Sequence, residues 1–185
     1  MLNVMQLGFH RMVKILALTG RAFVGKSRVS KLVQEIDPRF KRFAFADPLK
    51  EEYCRLASIN LEELNDNKQR HRPNLISLSK IRKGLNENNH FENGFYYADL
   101  LMKRIKKEQY VVIDDLRFWE ELIRIKEAGG IIYKVQADNS IRKARGWEPS
   151  PDIDDDISET ELDLSPYTFW TLTKGGSIFN NDNNE

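Results

Sequence analysis

Five apolar segments punctuate the chain: Lys14 to Thr19, Arg42 to Ala46, Tyr110 to Asp114, Ile131 to Gln136 and Thr168 to Thr173. Several are near-continuous runs rather than alternating ones, the pattern of strands covered on both faces of a parallel sheet. Between them the apolar positions take a helical period. It predicts helices over Lys26 to Ile36, Asp47 to Ala57, Leu61 to Asn67, Leu75 to Leu85, Gly94 to Lys107 and Phe118 to Ala128. Strands alternating with helices define an α/β architecture.

Two stretches break the alternation. Residues 47–109 form a helical excursion without a strand signal, too long for a plain crossover, and the place where a second substrate is expected to be held. Residues 146–156 carry Pro149, Pro151 and a dense acidic run, and read as a loop within a lid region over 138–163. At 185 residues the chain is the size of one domain, expected over 13–176. Residues 1–12 are expected to be a flexible leader, and 177–185, rich in asparagine, a disordered tail.

Charge and cysteine usage narrow the function classes. Lys plus Arg number 29 against 28 Asp plus Glu, a net charge of +1, so no global electrostatic footprint for polymeric nucleic acid is present. Local charge must carry any anion recognition. A single cysteine, Cys54, excludes an internal disulfide framework and fits a reducing compartment. Residues 1–11 lack the long apolar core of a secretion signal or membrane span, so a cytoplasmic protein without membrane association is expected.

The strongest chemical signal directly follows the first apolar segment. Gly20-Arg21-Ala22-Phe23-Val24-Gly25-Lys26-Ser27 is a complete G-x-x-x-x-G-K-[ST] loop. A strand that stops at glycine and restarts as a helix aims several backbone N–H groups into one concavity suited to polyphosphate. Lys26 is expected on the outer phosphates. Ser27 is expected to offer its hydroxyl to a magnesium ion carried by the nucleotide, since Mg2+ prefers few protein ligands plus phosphate oxygens.

Val111-Val112-Ile113-Asp114-Asp115 is an apolar strand ending in two carboxylates, as expected of a segment that orients hydrated magnesium. Side chains alternate along a strand, so the two aspartates should face opposite ways; Asp115 is favoured as the inward one. Arg117 is expected to be drawn back to the same site. Arg142 and Arg145, which share a helix face, are expected to close over the phosphates and stabilise the charge of the transferring group. In the helical excursion Lys50, Arg70, Arg72 and Arg82 are the candidates for gripping an anionic acceptor, with Lys50 and Arg72 the preferred pair, and Asp47 is expected at the same substrate site. Asp152, Asp154 and Asp156 imitate the start of a calcium loop, but Ile157 replaces its glycine and Asp163 its final Glu, so they read as loop residues that answer the arginines. His10, His71 and His90 show no metal spacing, and no Ser/His/Asp arrangement supports a side-chain nucleophile.

These motifs together resemble the P-loop monophosphate kinases, the group that includes phage-type deoxynucleoside monophosphate kinases and animal-type phosphomevalonate kinases. The resemblance covers residues 13–176. Beyond the loop it rests on Phe45-Ala46-Asp47-Pro48-Leu49-Lys50-Glu51, on Asp115-Leu116-Arg117, on Arg142 to Trp147 and on Ser158-Glu159-Thr160-Glu161-Leu162-Asp163. It implies a three-layer fold with a five-stranded parallel sheet, an ATP and Mg2+ site, and transfer of the γ-phosphoryl group to a small phosphate-bearing acceptor. The Ser-Glu-Thr-Glu-Leu-Asp stretch is more similar to the nucleotide-specific members, which makes a (deoxy)nucleoside monophosphate the expected acceptor. Arg145-Gly146-Trp147 before an Asp-Asp-rich turn is similar to the phosphomevalonate members, so phosphomevalonate stands as the alternative, with dephospho-coenzyme A kinase or a non-catalytic nucleotide-binding relative behind it. The sequence departs from the group in ending without a closing helix, in Lys174, and in a less basic Ala22-Phe23-Val24. A guanine-specific switch is disfavoured, because Asn67-Lys68-Gln69-Arg70 lacks the required aspartate.

Overall fold

The computed structural model describes residues 14–86, 92–150, 154–163, 170–172 and 178–180. The expected leader, Asp152, Lys174 and most of the tail lie outside the described residues. The order is β1 (Lys14–Thr19), α1 (Lys26–Ile36), β2 (Lys41–Phe43), α2 (Ala46–Ala57), α3 (Leu61–Asp66), α4 (Lys68–Lys83), α5 (Tyr96–Ile105), β3 (Tyr110–Leu116), α6 (Trp119–Glu127), β4 (Ile131–Val135), α7 (Asn139–Ala144), α8 (Ile157–Thr160), β5 (Trp170–Leu172) and β6 (Ile178–Asn180).

The strands form one sheet in the order β2-β3-β1-β4-β5-β6. From β2 to β5 all pairings are parallel, and β6 joins the edge antiparallel to β5. The described sheet therefore has six strands where five parallel ones were expected, the extra one lying within the asparagine-rich end. Both faces of the central strands are buried, which explains their continuous apolar runs. On one face Ile15, Ala17, Val111, Ile113 and Ile132 pack with Leu101 and Ile105 of α5 and Leu122 and Ile125 of α6. On the other, Leu18, Val112 and Val135 pack with Val29 and Val33 of α1.

Two element boundaries differ from the sequence expectation for physical reasons. β2 ends at Phe43 rather than Ala46, because the Asp115 carboxylate accepts the N–H groups of Phe45 (2.8 Å) and Ala46 (3.0 Å) and so starts α2 there. Two free amides at a helix start are satisfied by a side chain distant in sequence. Helix α4 begins at Lys68 instead of Leu75 and carries Pro73 inside. Proline removes one helix bond. Side-chain bonds flank that turn: Tyr53 Oη lies 2.9 Å from His71 Nδ1 and accepts from Asn74 Nδ2 at 3.2 Å.

A third irregularity shapes the site. Ala17 pairs with Ile113 but Thr19 pairs with Leu116, so β3 holds one residue more than β1 across the segment containing Asp114 and Asp115. Such a bulge re-aims side chains next to a site.

Candidate functional site: two cavities around a phosphate loop

Residues 20–25 turn the chain from β1 into α1 at the carboxyl edge of the sheet, where open α/β sheets place their ligands. Glycine is required at both ends of the turn. Gly20 has φ +133°, and a Cβ there would lie 2.3 Å from the Val135 carbonyl oxygen; Gly25 has φ +104°, with Arg145 Nη1 3.0 Å from such a Cβ. Helix α1 starts without a side-chain cap, leaving its first-turn amides to an anion.

Lys26 is only 8% exposed. Its ammonium donates to the carbonyls of Gly20 (2.5 Å) and Arg21 (2.9 Å) within the loop. Burial and the nearby Arg117 charge lower its pKa to about 8, against the opposing pull of Glu159, Asp115 and Asp114.

The loop separates two cavities. The outer one, about 530 Å³, is lined by Lys26, Ser27, Asp114, Asp115 and the cations Arg28, Arg42, Lys50, Arg117 and Arg145, with Phe23, Leu49 and Leu75 as its apolar part. The inner one, about 610 Å³, lies between the loop and the β4–α7 connection, against Gln136, Asn139, Arg142 and Trp147.

Because of the bulge both aspartates line the outer cavity, rather than facing opposite ways. Asp114 is 6% exposed and accepts from Arg42 Nε (3.1 Å) and Nη2 (2.9 Å). Asp115 holds the start of α2, and burial, together with the charges of Asp114 and Asp47, raises its pKa. Glu121 accepts the N–H groups of Arg117 (2.9 Å) and Phe118 (3.1 Å). Burial and the Asp115 charge raise its pKa to about 8.

Arg142 and Arg145 are divided between the cavities. Arg142, 4% exposed, donates from Nε to the Ala22 carbonyl (3.1 Å), from Nη1 to Asn139 (3.1 Å) and from Nη2 to Asp154 (3.3 Å), and lies 3.8 Å from the Trp147 ring centroid. Arg145 reaches the outer side, where Nη1 donates to the carbonyls of Phe23 (3.1 Å) and Val24 (2.7 Å). The expected pair on one helix face is thus split across the loop, because α7 ends at Ala144 and Arg145 is its C-cap.

Carboxylates of residues 159–163 meet the loop as well. Arg21 pairs with Asp163 (2.8 Å), which also accepts from Lys134 (3.0 Å). Glu159 accepts the Ala22 N–H at 2.6 Å and pairs with Arg117.

Of the expected acceptor residues, Lys50 alone lines the outer cavity. Asp47 accepts the Ala44 N–H (2.9 Å) and shapes the turn into α2. Arg72 is exposed on α4, and its charge acts on Asp156. Arg82 is held by Glu52 at 2.5 Å, away from both cavities. Sequence reasoning missed Arg42 and gave Glu159 no individual role. Arg42 stands just before Ala46-Asp47-Pro48-Leu49-Lys50 on the same sheet edge, a position that marks it; Glu159 carries no such signal, since only folding brings it to Ala22.

A magnesium ion fits the donor set of the outer cavity: the Ser27 hydroxyl is exposed beside two carboxylates, all hard oxygen ligands. Among the described residues no helix is long and apolar enough to cross a membrane.

No known family profile matches the chain. It is 25% identical over 162 residues to the phosphomevalonate kinase of Drosophila melanogaster, spanning 82% of each chain. Over 135 residues it is 30% identical to a UPF0200 protein of Sulfurisphaera tokodaii, spanning 72% of this chain and 65% of that one. This distant similarity supports a P-loop kinase group. It does not single out the phage-type deoxynucleoside monophosphate kinases within that group.

Proposed function

We propose that the chain is a small-molecule kinase that transfers the γ-phosphoryl group of ATP to a small monophosphate. The observation that carries the reading is the outer cavity. There the loop lysine, two carboxylates and five further cations surround one space beside a turn that exposes backbone amides. Phosphoryl transfer is mostly positioning and charge stabilisation, and these groups supply both.

In this reading the triphosphate lies along the loop, with its nucleoside in the inner cavity near Gln136, Asn139 and Trp147. Lys26 leaves the loop carbonyls for the outer phosphates. Ser27 and the Asp114–Asp115 pair would hold magnesium, which would neutralise phosphate charge when bound. The acceptor enters the outer cavity with its phosphate toward Lys50, Arg42 and Arg117. An acceptor phosphate oxygen forms the new P–O bond as the bond to the β–γ bridging oxygen breaks, and ADP leaves.

Phosphomevalonate is the acceptor that the similarity to a relative favours. The Drosophila similarity spans most of both chains. Among the described residues the outer cavity has no Asn or Gln to read a base edge, and Phe23 is its one aromatic ring. The second reading, a (deoxy)nucleoside monophosphate, is favoured by the Ser158 to Asp163 stretch. Incubation with γ-labelled ATP, magnesium and a panel of phosphomevalonate, deoxynucleoside monophosphates and dephospho-coenzyme A tests both. Label in phosphomevalonate is expected, label in a nucleotide moves the acceptor to the second reading, and label in none rejects the kinase.

A further inference from the structure

Lys26, Arg117 and Arg145 converge on the outer cavity, and like charges so close repel one another. One carboxylate from the lid stands among them. The Glu159 side chain is 7% exposed; its Oε2 accepts the Ala22 N–H at 2.6 Å, and its Oε1 pairs with Arg117 Nη1. The same Arg117 nitrogen donates to the Ser158 carbonyl at 2.8 Å. Among the described residues, Nε and Nη2 of Arg117 make no hydrogen bond. The guanidinium is therefore gripped at one corner, and its remaining donors are left to the cavity.

We propose that Glu159 is a positioning residue for phosphoryl transfer: its carboxylate ties the phosphate loop to Arg117 and allows Lys26 and Arg117 to share one cavity. The inference rests on the reading of the loop as an ATP site. Electrostatics agrees with the geometry: Arg117 is the charge that most opposes the Lys26 ammonium and Glu159 the one that most favours it, ahead of Asp115 and Asp114. Removing the Glu159 charge releases Arg117 and leaves only Asp115 and Asp114 to offset its effect on Lys26.

Calorimetric titration of the full chain with Mg·ATP at pH 7.5 tests this without an acceptor. Glu159→Gln is expected to weaken binding about fivefold at pH 7.5, and the double variant with Arg117→Met to bind no more weakly than Arg117→Met alone, because coupled residues are non-additive. Glu159→Asp, which keeps the charge, is expected to recover part of the affinity lost in Glu159→Gln. A merely structural tie would not be rescued by the shorter carboxylate. Glu159→Gln binding as tightly as the parent or tighter, or effects that simply add, overturns the proposal. Should Glu159→Gln fail to fold, Glu159→Asp and Arg117→Met carry the test: additive losses reject coupling and non-additive ones support it. A folded parent chain that takes up no Mg·ATP rejects the ATP site itself, an outcome distinct from a parent that binds and a variant that matches it.

Discussion

The Lys26 ammonium donates to the Gly20 carbonyl at 2.5 Å, closing the loop with its own seventh residue on its first. In the proposed function this ammonium, held by the Gly20 and Arg21 carbonyls, turns outward to the phosphates. Lys26→Met should keep the fold, since the stem still packs, and should lower kcat about 100-fold or more, as loss of one charge-stabilising group does. Single-turnover transfer from labelled ATP checks this, and a fully active variant would show that the loop does no chemistry.

Gly20 has no room for a side chain. A Cβ would stand 2.3 Å from the Val135 carbonyl, at a φ of +133° that other residues rarely adopt. Gly20→Ala is expected to cost about 2–4 kcal/mol of stability through strain and displaced backbone. It should also abolish Mg·ATP binding. Urea unfolding and calorimetry measure the two effects separately.

Arg142 and Arg145 should give opposite phenotypes. Arg142 is buried against Trp147 and bonded to Ala22, Asn139 and Asp154, so Arg142→Ala leaves polar groups unpaired and should lower stability by about 2–3 kcal/mol. Arg145 caps α7 and lines the outer cavity, so Arg145→Ala should leave the melting temperature within a few degrees of the parent while reducing transfer about tenfold or more. Thermal melts paired with initial rates distinguish them.

Glu121 makes stability depend on pH. Its pKa rises from 4.5 in the unfolded chain to about 8 when folded, so between these values the unfolded state releases a proton that the native state keeps. Its contribution is fully present below pH 4.5 and is lost as pH rises to about 8. Glu121→Gln retains an acceptor for the Arg117 and Phe118 amides without a charge to bury. At pH 9 it is expected to stabilise the protein by on the order of 2 kcal/mol, well within the limit set by the shift. Denaturant titrations of both proteins at pH 5 and pH 9 should show the gain at the higher pH.

Much of this molecule is legible along the chain because the signals are local. The apolar runs at 14–19 and 110–116 mark strands covered on both faces, and the glycines, lysine and serine of residues 20–27 mark the turn between β1 and α1. The boundaries that moved were those controlled from a distance. β2 stops short because Asp115, some seventy residues away, captures the amides that open α2.

The same division holds for the site. Sequence alone determined the α/β alternation, the glycine-rich turn of residues 20–27 and the carboxylates at the end of β3, since each depends on the spacing of neighbouring residues. Only the tertiary structure decided that a bulge turns Asp114 and Asp115 into one cavity, that Arg142 and Arg145 part around the loop, that Arg82 is held by Glu52, and that Glu159 stands between Ala22 and Arg117. Those outcomes depend on which charges and amides meet across the fold. A buried ion or amide takes its partner from whatever packing brings within reach, and sequence separation does not encode that distance.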